Sequence, residues 1–179
     1  MRRMMLAALV ATGFSAQAGA QPTAPPDQER LLAIVANYGQ QHRTAPNAMA
    51  AGGLRPQRAK EICAVFQAKH GTVSGWVSTI ERLDSTASGR GVLTVRLNAI
   101  VALQTWGLEM SDSTDRTLIP SGSALFQRVA GMRVGQRVRV SGSFLPSRDD
   151  CLKETSVTVD GAMRAPHFLF RFSQVEAVN

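Results

Sequence analysis

The spacing of apolar and polar residues changes character once along the chain. Leu31, Leu32, Ile34, Val35 and Tyr38 recur at helical spacing and give one apolar stripe. Asp27 stands before that stripe as a helix cap, and Gly39 ends the clean pattern. Pro56 suits the first turn of a second helix, with Ala59, Ile62, Cys63 and Phe66 on one face. Arg55, Arg58 and Lys60 fall on its other sides and read as a solvated face.

From Gly71 onward the period is two. Residues 72–82 form a first strand, with Gly75 marking a bulge or sharp bend. Residues 84–90, rich in Ser, Thr and Gly, read as a hairpin loop. Residues 91–98 and 100–106 follow as strands two and three. A polar loop over 109–116 leads to the short apolar run Leu118-Ile119. Pro120-Ser121 then opens a helix capped by Ser121, with Leu125, Phe126 and Val129 buried and Gly131 as its stop. Val138, Val140, Gly142 and Phe144 alternate with Arg137, Arg139, Ser141 and Ser143 as a half-buried strand. Residues 156–159 are expected to form a short strand. Pro166 introduces the last one, where Phe168, Phe170 and Phe172 point to the core.

Three strands, a helix and further strands is the order of the OB-fold, a five-stranded Greek-key barrel. The expected fold is therefore mainly β: an OB-like small barrel over 70–179 with an N-terminal helical element over 27–69. Another small β-barrel or a sandwich is the alternative. The wording of the chain also resembles an uncharacterised family of small exported bacterial proteins. Gly75-Trp76-Val77, Thr105-Trp106, Ser111-Asp112, Thr117-Leu118-Ile119, Val140-Ser141-Gly142-Ser143-Phe144 and Phe170-Arg171-Phe172 carry that likeness, with Asn47 and the region of Arg58. It implies export and this fold, and it implies no chemistry.

The N-terminus alters the picture of where such a barrel works. Arg2 and Arg3 precede an apolar run over 4–14, and Ala18-Gly19-Ala20 supplies a small-residue cleavage site. Residues 1–20 read as a signal peptide, Gln21 as the mature N-terminus and 21–26 as a linker. The expected location is periplasmic or secreted, with no stable membrane insertion after cleavage. In an oxidising compartment Cys63 and Cys151 read as one disulfide.

Charge and candidate chemistry come last. The formal charge is +7, and removal of Arg2 and Arg3 with the acid-free first twenty residues leaves +5. That balance favours anionic partners but equally serves solubility. Trp76, Arg96, Trp106, Arg137 and Arg139 are the candidate ligand-binding residues, because strand arginines beside exposed aromatics would form a groove for single-stranded nucleic acid. Core or rim packing is the favoured role for both tryptophans, because large aromatics are usually largely buried. His42, His70 and His167 have no partner at metal-ligand spacing. Asp112 and Asp115 are the one local carboxylate pair; an Asx-type turn explains them better than a metal site. No catalytic constellation, metal or cofactor is expected. The leading expectation is a non-enzymatic binding module for a protein or an anionic polymer. Single-stranded nucleic-acid binding and a metal-dependent hydrolase built on the Asp112–Asp115 loop are the alternatives.

A loop of about ninety residues closed by a disulfide is stabilised by about 4–5 kcal/mol in the chain-entropy model. Cys151→Ser is expected to lower the melting temperature under oxidising conditions and to change little under reducing ones. Equal melting of mutant and parent without reductant would show that no such bridge stabilises the fold.

Overall fold

The structure, a computed structural model, describes residues 23–178. The expected signal peptide and the first two linker residues lie outside the described residues. Two helices, α1 (Pro26–Thr44) and α2 (Ala48–Phe66), precede strands β1 (Thr72–Ser85), β2 (Gly91–Arg96) and β3 (Ala102–Gln104). The chain continues through α3 (Glu109–Asp112), α4 (Ala124–Ala130), β4 (Arg137–Phe144), β5 (Pro146–Ser147), β6 (Cys151–Leu152), α5 (Val159–Arg164) and β7 (His167–Ala177). Five strands close into a barrel in the order β1-β2-β3-β7-β4, and β5 pairs with β6 as a separate two-stranded sheet. All barrel pairs are antiparallel except β3–β7. With α4 between the third and fourth barrel strands, this is the expected mainly-β small closed barrel with a helical element ahead of it.

Closure depends on β1 serving two neighbours. Its first half pairs with β4 and its second half with β2. Gly75 adopts φ +69 where the β1–β4 register shifts between Val73 and Trp76. A left-handed residue there bends the strand at little cost only because it has no Cβ. Gly142 answers a different need. A Cβ at that position would stand 2.1 Å from the Arg171 carbonyl oxygen, at the shift in the β4–β7 register. Trp76, Phe144, Phe168, Phe170 and Phe172 fill the interior, and Phe66 joins them from α2 with its ring centroid 5.2 Å from that of Phe144.

Several boundaries differ from the expected ones, each for a local reason. Pro26 occupies the first turn of α1, preceded by Pro25 without a side-chain cap, so Asp27 lies inside the helix. The helix runs on through Gly39, where a Cβ would meet the Met163 carbonyl oxygen at 3.0 Å. There the bare backbone lets α5 approach. Asn47 accepts a hydrogen bond from Ala50 N at 2.9 Å, so α2 starts well before Pro56, which stands inside it. β3 is shorter than expected. Asn98 Oδ1 accepts from the backbone N–H of Ile100 and Val101, and beyond Gln104 the Thr105 hydroxyl accepts from Leu93 N. Ser123, not Ser121, caps α4, accepting from Phe126 N at 3.1 Å. In place of a strand over 156–159, Thr158 caps α5 by accepting from Gly161 N at 3.0 Å. Leu169 is buried despite its outward phase, where the 153–155 segment pairs with the edge of β7 and accepts from Leu169 N at 2.8 Å.

The helical layer is fastened to the barrel chemically. Gln28 is buried and pairs with the Val77 backbone like a short strand, donating to its carbonyl at 2.6 Å and accepting from its N–H at 2.8 Å. Trp76 Nε1 donates to Asp27 Oδ1 at 3.1 Å. Cys63 and Cys151 form the expected disulfide, joining α2 to β6 with Cα atoms 5.5 Å apart.

Arg58, expected on a solvated face, is instead fully buried. Its guanidinium donates to Glu154 Oε1 at 2.5 Å and to the Ala162 carbonyl at 2.6 Å. Arg55 holds Asp150 through both carboxylate oxygens. Helical phase alone put Arg58 outward, because the segment that covers it comes from ninety-odd residues later in the chain.

Burial pushes the Glu154 carboxyl up to about 7 against the pull of Arg58. A raised carboxyl keeps its proton in the folded state after the unfolded chain has released it. Stability from this group is therefore full at low pH and falls as pH rises from about 4.5 to about 7. Parent protein is expected to lose up to about 3 kcal/mol more than Glu154→Gln between pH 5 and pH 8, measured by urea unfolding. Parallel pH profiles for the two proteins would show that Glu154 does not titrate in that window.

Candidate anion-binding cleft

The five residues singled out from the sequence do not form one groove. Trp76 is fully buried in the barrel, edge-on to Phe144 at 5.5 Å between centroids, and presents no face for stacking. Its candidate ligand role therefore fails, and core packing, the favoured role, follows from the inward phase of β1 after the Gly75 bend. Trp106 is half-buried outside the barrel strands. Its Nε1 donates to Asp115 Oδ2 at 2.7 Å, and Lys153 Nζ lies 6.0 Å from its ring centroid. Arg96 and Arg137 do share the outer surface, each opposite Thr79 of β1 from a different side. Arg96 is held by Glu81 at 2.6 Å. Arg139 donates to the Gly75 carbonyl at 3.1 Å and stands opposite Glu176. Arg96 and Arg139 thus have partners in the barrel wall, while Arg137 has none among the described residues.

The Asp112–Asp115 loop is likewise committed. Asp112 is buried at the end of the short α3. Its Oδ1 accepts from the Thr117 N–H and hydroxyl at 2.5 and 2.7 Å, and its Oδ2 accepts from Leu118 N at 3.2 Å. Arg90 approaches Oδ2 at 3.2 Å. Asp115 accepts from Lys153 at 2.6 Å as well as from Trp106. Burial works to raise the Asp115 carboxyl, but hydrogen bonds from Lys153 and Trp106 outweigh it and hold the group below the usual carboxylate range. Both carboxylates act as anchors of a turn. Among the described residues no group of three His, Cys, Asp or Glu side chains is placed to hold a metal ion.

His167 lies half-buried with Nδ1 3.0 Å from Gln104 Oε1, and burial lowers its pKa. It belongs to the β3–β7 seam and faces no cleft of reactive groups.

What that turn builds is a cleft of about 500 Å³ walled by three arginines. Arg90 comes from the end of the β1–β2 loop and also donates to the Leu118 carbonyl at 3.3 Å. Arg171 comes from the outer face of β7 and donates to the carbonyl oxygens of Asp115 and Arg116 at 2.6 and 3.3 Å. Those bonds fix its plane against the loop. Arg116 is exposed, and its backbone sits at φ +51. Among the described residues its guanidinium has no hydrogen-bond or salt-bridge partner. Leu125 and Phe172 supply apolar wall.

Guanidinium groups bind carboxylate, phosphate or sulfate through paired N–H donors. Here the Asp112 carboxylate in the floor is already surrounded by four donors, so it offsets only part of the positive charge. Sequence reasoning assigned Arg90 to a hairpin, Arg116 to the carboxylate loop and Arg171 to a strand. Their convergence arises from tertiary structure, because β7 passes behind a loop fifty-five residues earlier.

Removing the Asp112 carboxylate would leave the buried donors of Thr117 and Leu118 unsatisfied. Asp112→Ala is expected to cost about 3 kcal/mol of unfolding free energy. A chelator is expected to leave the parent melting temperature unchanged. A shift on chelation would restore a metal to this loop.

No family model, no curated protein and no solved structure matches this chain.

Proposed function

We propose that this chain is a non-enzymatic exported binding module whose cleft between Arg90, Arg116 and Arg171 receives an anionic group of a protein or polymer ligand. The observation that carries this reading is the exposed, unpartnered Arg116 guanidinium beside two arginines already fixed in orientation. Preorganised donors lose little entropy on binding, and an unpaired cation has no internal ion pair to break. The moderately basic balance of the sequence supports the same ligand class. Export is part of the proposal. It is supported by the Cys63–Cys151 bridge and by the signal-peptide pattern of residues 1–20. No helix among the described residues is long and apolar enough to cross a membrane.

Single-stranded nucleic acid is the weaker reading. Stacking needs exposed aromatic faces. The large apolar side chains exposed among the described residues are Met49, Leu108, Met110, Val134, Val157 and Val159, none of them aromatic. A hydrolase built on Asp112 and Asp115 is weaker still, since both carboxylates are taken up by the turn.

Fluorescence anisotropy of a labelled polyglutamate peptide with the oxidised protein from Gln21 onward tests the proposal. Affinity is expected to fall steeply with salt. Arg116→Glu is expected to weaken it at least tenfold, and Arg137→Glu to leave it within twofold. The reverse pattern would move the site to the outer face of β4. Tighter binding of a single-stranded oligonucleotide of equal charge would favour the nucleic-acid reading.

A further inference from the structure

The arginine cleft does not end at its charged wall. Leu118 and Ile119 run antiparallel to the start of β2, with Gly91 N donating to Ile119 O at 2.7 Å and Ile119 N donating to Gly91 O at 3.0 Å. This two-residue ladder divides a continuous surface. On one side lie Arg90, Arg116 and Arg171. On the other lies a second depression, of about 240 Å³, lined by Leu83, Val92, Ile119, Phe126, Val129 and Met132 among others. Ile119 borders both hollows. Helix α4 forms a wall of each, with Leu125 facing the cleft and the adjacent Phe126 facing the pocket.

A charged receptor and an apolar receptor joined at one side chain select a ligand that carries both characters a few ångströms apart. Size narrows the class. Sites that enclose a drug-sized molecule run to about 300–1,000 Å³. The apolar pocket falls below that range and suits one aliphatic side chain rather than an acyl chain. Its rim is mostly apolar; the one carboxylate there, Asp84, is exposed and paired with Arg82 at 2.6 Å.

We propose that cleft and pocket form one site for a peptide segment of a partner protein. The arginines hold a carboxylate, either of an acidic residue or of a chain terminus. A neighbouring aliphatic side chain of leucine size enters the pocket beneath α4. This inference rests on the anion-binding reading of the cleft and adds the apolar half of the ligand. Charge complementarity sets the polar half and pocket volume the apolar half. The β2–Ile119 ladder fixes their separation.

The test titrates the oxidised protein from Gln21 onward with small probes, followed by backbone and arginine side-chain NMR shifts. The probes are acetate, N-acetyl-leucine, N-acetyl-leucinamide and dodecanoate. N-acetyl-leucine is expected to bind at least tenfold tighter than acetate, since burying a leucine side chain is worth at least that factor. It should shift residues of both hollows, and its amide should bind weakly. Ala130 is exposed and lines the pocket. Ala130→Phe is expected to fill the pocket, abolish the gain of N-acetyl-leucine over acetate and leave acetate binding intact. Arg116→Ala is expected to weaken both acids. Equal affinity of acetate and N-acetyl-leucine would overturn the two-part site while leaving the anion site standing. Absence of shifts with every carboxylate would overturn the anion reading itself. Dodecanoate binding more than tenfold tighter than N-acetyl-leucine would assign the surface to an anionic amphiphile and overturn the peptide.

Discussion

The need of β1 to pair on both sides while bending through a closed barrel governs the rest of this molecule. A strand that bonds β4 along one half and β2 along the other cannot stay straight. The left-handed Gly75 supplies the bend, and the bare Gly142 lets β4 lie close beside its neighbour β7. Closure leaves little open barrel edge on which an extended ligand could add itself as a strand. It also commits every large aromatic side chain of the strands to the interior. Ligand recognition is thereby restricted to loops, to strand outer faces and to the seam beside α4.

The helices restrict it further. Gln28 occupies the Val77 backbone groups that a neighbouring strand would otherwise take. The disulfide and the Arg58–Glu154 pair fasten α2 to the segment after β4. Burying a cation such as Arg58 is expensive, and an apolar side chain of similar volume would often serve stability as well. With Arg58 Nε and Glu154 Oε2 left unbonded inside, the pair is a directional lock rather than a maximally stable one. It favours the docking of the helical layer that brings Glu154 and the Ala162 carbonyl to the same guanidinium. That lock lies apart from the arginine cleft and shares no residue with it.

Legibility in the sequence tracked the range of the interaction. The inward phase of β4, the core role of Phe168, Phe170 and Phe172, the bend at Gly75 and the α4 stop at Gly131 are local patterns, and each reads correctly from neighbouring residues. The disulfide was legible because two cysteines allow one pairing. Arg58 was not, since its partners come from the far end of the chain. Trp76 was legible as core from its size but not from its phase: Gly75 marks a bulge, yet its presence alone does not say that the later β1 residues reverse their phase. The candidate site was legible least of all. Its arginines come from three separate parts of the chain, and only the fold makes them neighbours.

A cation's use depends on what it is already bonded to. Arg96 has Glu81, and Arg55 and Arg58 have Asp150 and Glu154. These groups enter the net charge but have little left to offer a ligand. Arg171 is different, since it bonds only backbone carbonyls, which orient a guanidinium without cancelling its charge; Arg90 bonds the Leu118 carbonyl and the Asp112 carboxylate, an anion already shared among four donors. Arg116, between them, is bonded to nothing among the described residues. Orientation on two sides and freedom in the middle is the arrangement that anion recognition needs. On the strand face, by contrast, charge is either neutralised or, at Arg137, isolated. The same net charge therefore amounts to a binding site at the loop–α4 seam and to ordinary solvation on the barrel wall.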